Sequence, residues 1–366
     1  MATNNRSRKA DDVQGSSNRH VAANKRQCRN SSFGYDVYIA GKTRKTKDWK
    51  ESDSQPGLEA SFQLALKRQN VKDIFCKKYF PKDEEDEKEI AYVLLQNGVL
   101  KQWGNRGEIW DMSPHQSRFL FRGAFLTNIQ QVDSGEYHAA AISYAGSVIT
   151  WGDNDQGQLG RNTGNEYRRV APGRVESLQD LFIIQVACDK NVTFALDKQG
   201  NIYSWGSHES YGVTGQGVSE GSSSQPTKIE GLPPVKQICA SGYNAGALTR
   251  DGNVYTWGYG ETSGHDGYSE EECITRPALL RGRLDGQIVV QLSCGGSHMG
   301  ALTDKKHVYM WGWNGEGQLG TGVSDHDEHH APTLVEALID ECISSISLGD
   351  NHSIAMSKER DTVFVW

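Results

Sequence analysis

The chain has 366 residues, 40 of them glycine and nine proline, with a formal net charge of −7. Glycine at about 11%, against a usual level of roughly 7%, calls for many tight turns, and so few prolines argue against a low-complexity chain. No run of about 18 apolar residues occurs and the first 30 residues carry no apolar stretch of signal-peptide type, so a soluble, non-secreted protein with no membrane partner is expected.

Charge divides the chain. Residues 1–50 hold twelve Lys/Arg and four Asp, a net of +8, so residues 51–366 hold 27 cationic and 42 acidic groups, a net of −15. Arg6, Arg8 and Lys9 in "RSRK", and Lys25, Arg26 and Arg29 in "NKRQCR", mark a polar segment without apolar periodicity. Residues 1–50 therefore read as a basic, disordered arm. It is either a solubilising tail or a nuclear-import or phosphate-binding arm that reaches chromatin or DNA by displacing counterions.

An internal repeat organises the rest. Trp103, Trp151, Trp205, Trp257, Trp311 and Trp366 are spaced by 48, 54, 52, 54 and 55 residues, and glycine follows the first five. A period above 40 residues with several strands per unit indicates propeller blades, because one small sheet cannot cover its apolar face until neighbouring copies stack on it. Residues 51–87 read as irregular sequence or a degenerate early blade, with "DVYIAGK" (36–42) as a repeat end lacking its Trp; residues 88–366 read as propeller.

Within each repeat the strand pattern is local. "DGNVYTW" predicts a two-residue turn at Asp251-Gly252, then alternation that places Tyr255 and Trp257 on one face and Val254 and Thr256 on the other. The glycine after each Trp is expected to let the chain turn at the strand end. Of the seven cysteines, Cys188, Cys239 and Cys294 recur at similar places in successive repeats, and free thiols in a reducing compartment are expected.

Gly-x-x-His, then Ala-Leu, a turn, Val-Tyr-x-Trp-Gly and Gly-Gln-Leu-Gly, at about 50-residue spacing over residues 88–366, resembles the regulator of chromosome condensation repeat family. The resemblance implies an all-β, nominally seven-bladed propeller. WD repeats have shorter periods with Trp-Asp, and kelch repeats carry a paired-glycine signature that does not recur from repeat to repeat here. Five repeats are clear, and the chain stops at Trp366, which leaves two expectations: a truncated product, or a ring closed by irregular sequence.

In that family, acidic and histidine side chains in the turns before each repeat's Ala-Leu contact a small GTPase and help displace its nucleotide. Carried over by position, the resemblance implies a partner-binding rim of Glu136, His138, Lys190, Tyr243, His298, Asp350 and His352. Lys190 and Tyr243 stand at family-acidic places and Val192 stands at a histidine place. Each histidine is either a partner contact or an interblade hydrogen-bonding group. A family wedge loop that presses near the nucleotide corresponds to His208, Glu209, Ser210, Tyr211 and Gly212, with an ordinary interblade turn as the other reading.

No Gly-x-x-x-x-Gly-Lys-Ser/Thr loop and no His-Glu-x-x-His occurs. "SDHDEHH" (324–330) has metal-ligating residue types but no fixed spacing, so neither a metal nor a cofactor is expected. The expectation is a non-catalytic interaction module in the nucleus or cytoplasm, regulating a small GTPase. The alternatives are a chromatin-associated guanine-nucleotide exchange factor for a Ran-like GTPase, and a truncated scaffold or ubiquitin-pathway component.

Overall fold

The computed structural model describes residues 35–39, 63–69, 71–79, 88–104, 109–111, 126 and 128–366, except 210, 266–271 and 323–328. β1 (Tyr35–Ile39) and β2 (Gln63–Gln69) pair antiparallel. The remaining described strands form six up-and-down antiparallel sheets, the blades of a propeller. Blade 1 is β3 (Val71–Tyr79), β4 (Lys88–Leu95), β5 (Leu100–Gly104) and β6 (Ile109–Asp111), so its first strand lies inside the 51–87 segment. Blade 2 is β7 (Ile129–Ser134), β8 (His138–Ser143), β9 (Val148–Gly152) and β10 (Val170–Arg174). Blade 3 is β11 (Ile183–Asp189), β12 (Val192–Asp197), β13 (Ile202–Ser207) and β14 (Ser222–Lys228). Blade 4 is β15 (Val235–Ser241), β16 (Asn244–Thr249), β17 (Val254–Tyr259) and β18 (Cys273–Leu279). Blade 5 is β19 (Val289–Cys294), β20 (His298–Thr303), β21 (Val308–Gly312) and β22 (His329–Leu334). Blade 6 has three strands, β23 (Ser345–Leu348), β24 (Ser353–Ser357) and β25 (Thr362–Val365). Helix is confined, among the described residues, to two single 3-10 turns at Glu176–Leu178 and Glu336–Leu338.

The repeated tryptophans sit on the third strand of each blade or, for Trp366, directly after it. The predicted two faces are present: Trp257 packs with Phe194 and Val213 of blade 3, whereas Val254 packs with Leu292 and Trp311 of blade 5. The hairpin itself differs from expectation. Gly252 N–H donates to Thr249 O and Thr249 N–H to Asn253 O, so Arg250 and Asp251 are the turn centre and Gly252, at φ +87°, is the left-handed residue that follows.

The glycine after Trp also has another role. Gly206 (φ +113°) stays inside β13, next to a register shift against β14, and a Cβ there would collide with Asn191 O. The strand bulges at this point and the backbone of the turn between β11 and β12 approaches closely, so only glycine fits.

Each first strand packs on the first and second strands of the blade before it. One side chain recurs there. The Gln185 amide donates to Ile238 O at 2.7 Å while its carbonyl accepts Ile238 N–H at 2.9 Å. Gln131 clamps Val186, Gln237 clamps Leu292 and Gln291 clamps Ile346 in the same two-bond manner. Two residues further along, Asp133 accepts Cys188 N–H and Ser293 accepts Leu348 N–H across their interfaces.

At that same register Cys239 is bonded to Cys294 of the next blade, with Cα atoms 5.8 Å apart. This corrects the expectation of free thiols for these two residues. The repeat places them on adjacent first strands, where a covalent link takes the place of the side-chain-to-backbone bond. Cys188 is buried outside any disulfide, and Cys273 and Cys342 are free thiols.

Candidate protein-binding rim

Up-and-down connectivity brings the loops between strands 1 and 2, and between strands 3 and 4, to one rim of the propeller. The turns carrying Glu136, Lys190, Tyr243 and Asp350 are of the first kind, and the 208–221 loop is of the second. In the sheet register, Lys190-Asn191 and Gly242-Tyr243 are both two-residue turns, so Gly242 rather than Tyr243 matches Lys190 in position.

Two of the three rim histidines face inward. His138 is 4% exposed and His298 is 0% exposed. His138 Nε2 lies 2.7 Å from Thr193 Oγ1, whose own proton goes to Gln158 O at 2.8 Å, so the imidazole donates. The indole of Trp205 also donates to Gln158 O, at 2.8 Å. His298, Ser353, Gln318 O and Trp366 repeat this arrangement at 2.9, 2.7 and 2.8 Å.

These are struts between consecutive blades. His and Gln come from one blade, while the hydroxyl and Trp come from the next. Where Val192 replaces His, Ala245 replaces the hydroxyl residue and both join an apolar cluster. Where Asn244 replaces it, Met299 occupies the register of the hydroxyl residue, and Asn244 turns to Thr262 Oγ1 instead. His298 Nδ1 is buried without a hydrogen-bond donor, and burial, aided by the neighbouring His352, pushes the imidazole pKa down to about 4. His352 itself is exposed, as is Asp350.

The rim residues that do converge lie where blades 3 and 4 meet. Lys190 Nζ stands 3.8 Å from the centroid of the Tyr243 ring. Tyr211 packs edge-on against Tyr243 at 5.2 Å and tilted against Tyr259 at 4.9 Å. Tyr259 Oη donates to Glu261 Oε2 at 2.6 Å. Burial lowers the Lys190 pKa, but Tyr243, Glu136 and Asp189 more than offset it, so the ammonium titrates above its usual value. Tyr259 and Glu261 were not singled out by the sequence reading, although both lie within four residues of Trp257.

The wedge loop is divided. His208 is buried with Nδ1 2.7 Å from Thr214 Oγ1, and burial lowers its pKa, whereas Glu209 and Tyr211 are exposed. Gly212 lies against Thr275 of blade 4. Ser210, the arm with Arg6, Arg8, Lys9, Lys25, Arg26 and Arg29, and residues 324–328 lie outside the described residues. The run Gly217-Val218-Ser219-Glu220-Gly221 spells a nucleophile elbow, but Ser219 is exposed in a loop that leads into β14 rather than a helix. No described helix is long and apolar enough to cross a membrane.

Comparison with known proteins gives the same architecture. Residues 92–366 match the model of the RCC1-like domain. The chain is 35% identical over 274 residues to human E3 ubiquitin-protein ligase HERC2, covering 72% of this chain and 6% of that protein. It is 32% identical over 256 residues to Protein pim1 of Schizosaccharomyces pombe, covering 63% and 46%. Among solved structures, human WBSCR16 superposes with a TM-score of 0.60 at 21% identity, covering 76% of this chain and 74% of that one. Prp20p from Saccharomyces cerevisiae, studied for binding to Gsp1p and histones, gives 0.58 at 20%, covering 74% and 68%. The chain thus spans under half of pim1 and a small part of HERC2. With its third-strand tryptophans, interblade struts and matched sequence all in one register, the chain belongs to the RCC1-like domain family.

Proposed function

We propose that the propeller is a non-catalytic interaction module whose rim, centred where blades 3 and 4 meet, binds a protein partner and regulates a small GTPase. The observation that carries this is the inward orientation of His138 and His298. Both are engaged in interblade bonds, so recognition falls to the exposed loops, where Lys190 and Tyr243 stand in contact. Exchange factors act by binding the nucleotide-free GTPase more tightly than the loaded form, which requires complementary charge and a wedge rather than a catalytic dyad.

A Ran-like GTPase is the partner class that the relatives suggest, and a nuclear or cytoplasmic setting with the basic arm on chromatin accompanies that reading. A cationic Lys190 at a desolvated contact works against it. The test is capture of purified Ran by the immobilised full chain, with and without added guanine nucleotide. Retention only of nucleotide-free Ran supports the exchange-factor alternative. Retention independent of nucleotide supports the interaction module with a Ran-like partner, and no retention in either condition removes Ran.

A further inference from the structure

Tyr211 is unusual on three counts. It is a non-glycine residue at φ +54°, the residue is 42% exposed, and its ring rests on two other tyrosines from the next blade. Large side chains seldom hold this backbone region unless surrounding contacts impose it, and such outliers cluster at ligand clamps and other functional sites. A rigid, half-exposed aromatic where several loops meet also has the character of an interface anchor.

Its surroundings choose the partner. Lys190 already sits on the Tyr243 face, with Glu136 and Asp189 beside it. The adjoining Glu209 is exposed, and Glu261 holds the Tyr259 hydroxyl. Counting these five charged groups, four carboxylates outweigh one ammonium, and residues 51–366 as a whole carry −15. A partly exposed aromatic ring in a negative field attracts a cation, and a planar guanidinium stacks on it better than an ammonium does.

We propose that Tyr211, braced by Tyr243 and Tyr259 and flanked by Glu209 and Glu261, is the docking point for an arginine in a basic segment of a partner protein. The inference rests on the reading of the rim as a protein-binding surface. It names the chemistry that the rim selects, whether or not that partner is a GTPase.

The experiment measures fluorescence anisotropy of the full chain with labelled Gly-Lys-Arg-Arg-Lys-Gly and with its all-lysine counterpart, which has equal charge. The arginine peptide is expected to bind about fivefold tighter or more, the factor that a cation–π contact of this kind supplies. Tyr211→Phe keeps the preference, Tyr211→Leu reduces it to within about twofold, and Glu209→Gln weakens both peptides. Equal binding of the two peptides by the unmodified chain, no binding of either, or a preference that survives Tyr211→Leu would overturn the proposal. Thermal unfolding of the Leu variant at the unmodified midpoint shows that the loss is local. A marked gain in peptide binding when Arg6, Arg8, Lys9, Lys25, Arg26 and Arg29 are all changed to serine would assign the site to the chain's own arm and overturn the assignment to a partner. Ran capture fails independently of all these outcomes, so the two readings are separable.

Discussion

The His298 strut makes a pH prediction. The imidazole is neutral in the fold with a pKa of about 4, against 6.5 when unfolded, so between those values the unfolded chain binds more protons than the folded one. Its contribution is therefore fully present above pH 6.5 and is lost as pH falls towards 4. At about 1.4 kcal/mol per pH unit the loss is on the order of 3 kcal/mol. Urea unfolding at a series of pH values should show this acid limb, and His298→Asn should flatten it while lowering stability near neutral pH. An unchanged slope in the variant would show that His298 is not held neutral by the interface. The sequence carried a signal for this role that reading each turn separately misses. His138 pairs with Thr193 and His298 with Ser353, while Val192 clusters with Ala245, and where Asn244 stands the matching register holds Met299. Each position changes together with the residue 53 or 55 further on, which is how packing across an interface behaves.

At the scale of a strand, the amide clamp and the covalent link make blade interfaces specific. Gln237→Ala removes two bonds to Leu292 and leaves backbone groups unpaired, for an expected loss of about 2–4 kcal/mol, while Gln179→Ala at an exposed site should cost under about 0.5. Denaturant unfolding of the two variants checks the contrast. Reducing the Cys239–Cys294 link, or changing Cys239→Ser, should lower stability by about 2–4 kcal/mol, since the bond closes a loop of 55 residues. If dithiothreitol leaves the transition of the unmodified chain in place, the link does not contribute. The third strands were legible because Trp-Gly is a conspicuous marker. The clamp was not, although Gln131, Gln185, Gln237 and Gln291 keep the same spacings of 54, 52 and 54 as the tryptophans beside them. A polar residue on a half-buried strand looks solvent-facing until the neighbouring blade is in place. Cys239 and Cys294 were seen to recur, but only the stagger between adjacent first strands brings them together.

The whole molecule behaves as a stack in which every described interface from blade 2 to blade 6 has its own clamp, strut or apolar substitute. Residues 88–366 should therefore unfold as one cooperative unit, with limited proteolysis yielding no stable halves and far-UV dichroism showing little helix. The repeat, and hence the fold, could be read because blades are periodic. The rim could be read only partly, because Tyr211, Tyr243, Tyr259 and Lys190 are remote in sequence and become neighbours only when two blades pack. At that meeting point a cation, Lys190, stands over the ring of Tyr243. The measurement that tests the functional claim most directly is release of a fluorescent guanine nucleotide from Ran by the full chain, beside its Lys190→Asp and Tyr243→Asp variants. The account predicts slow release by the unmodified protein and faster release by Lys190→Asp. Rapid release by the unmodified protein, unchanged by either substitution, would contradict it.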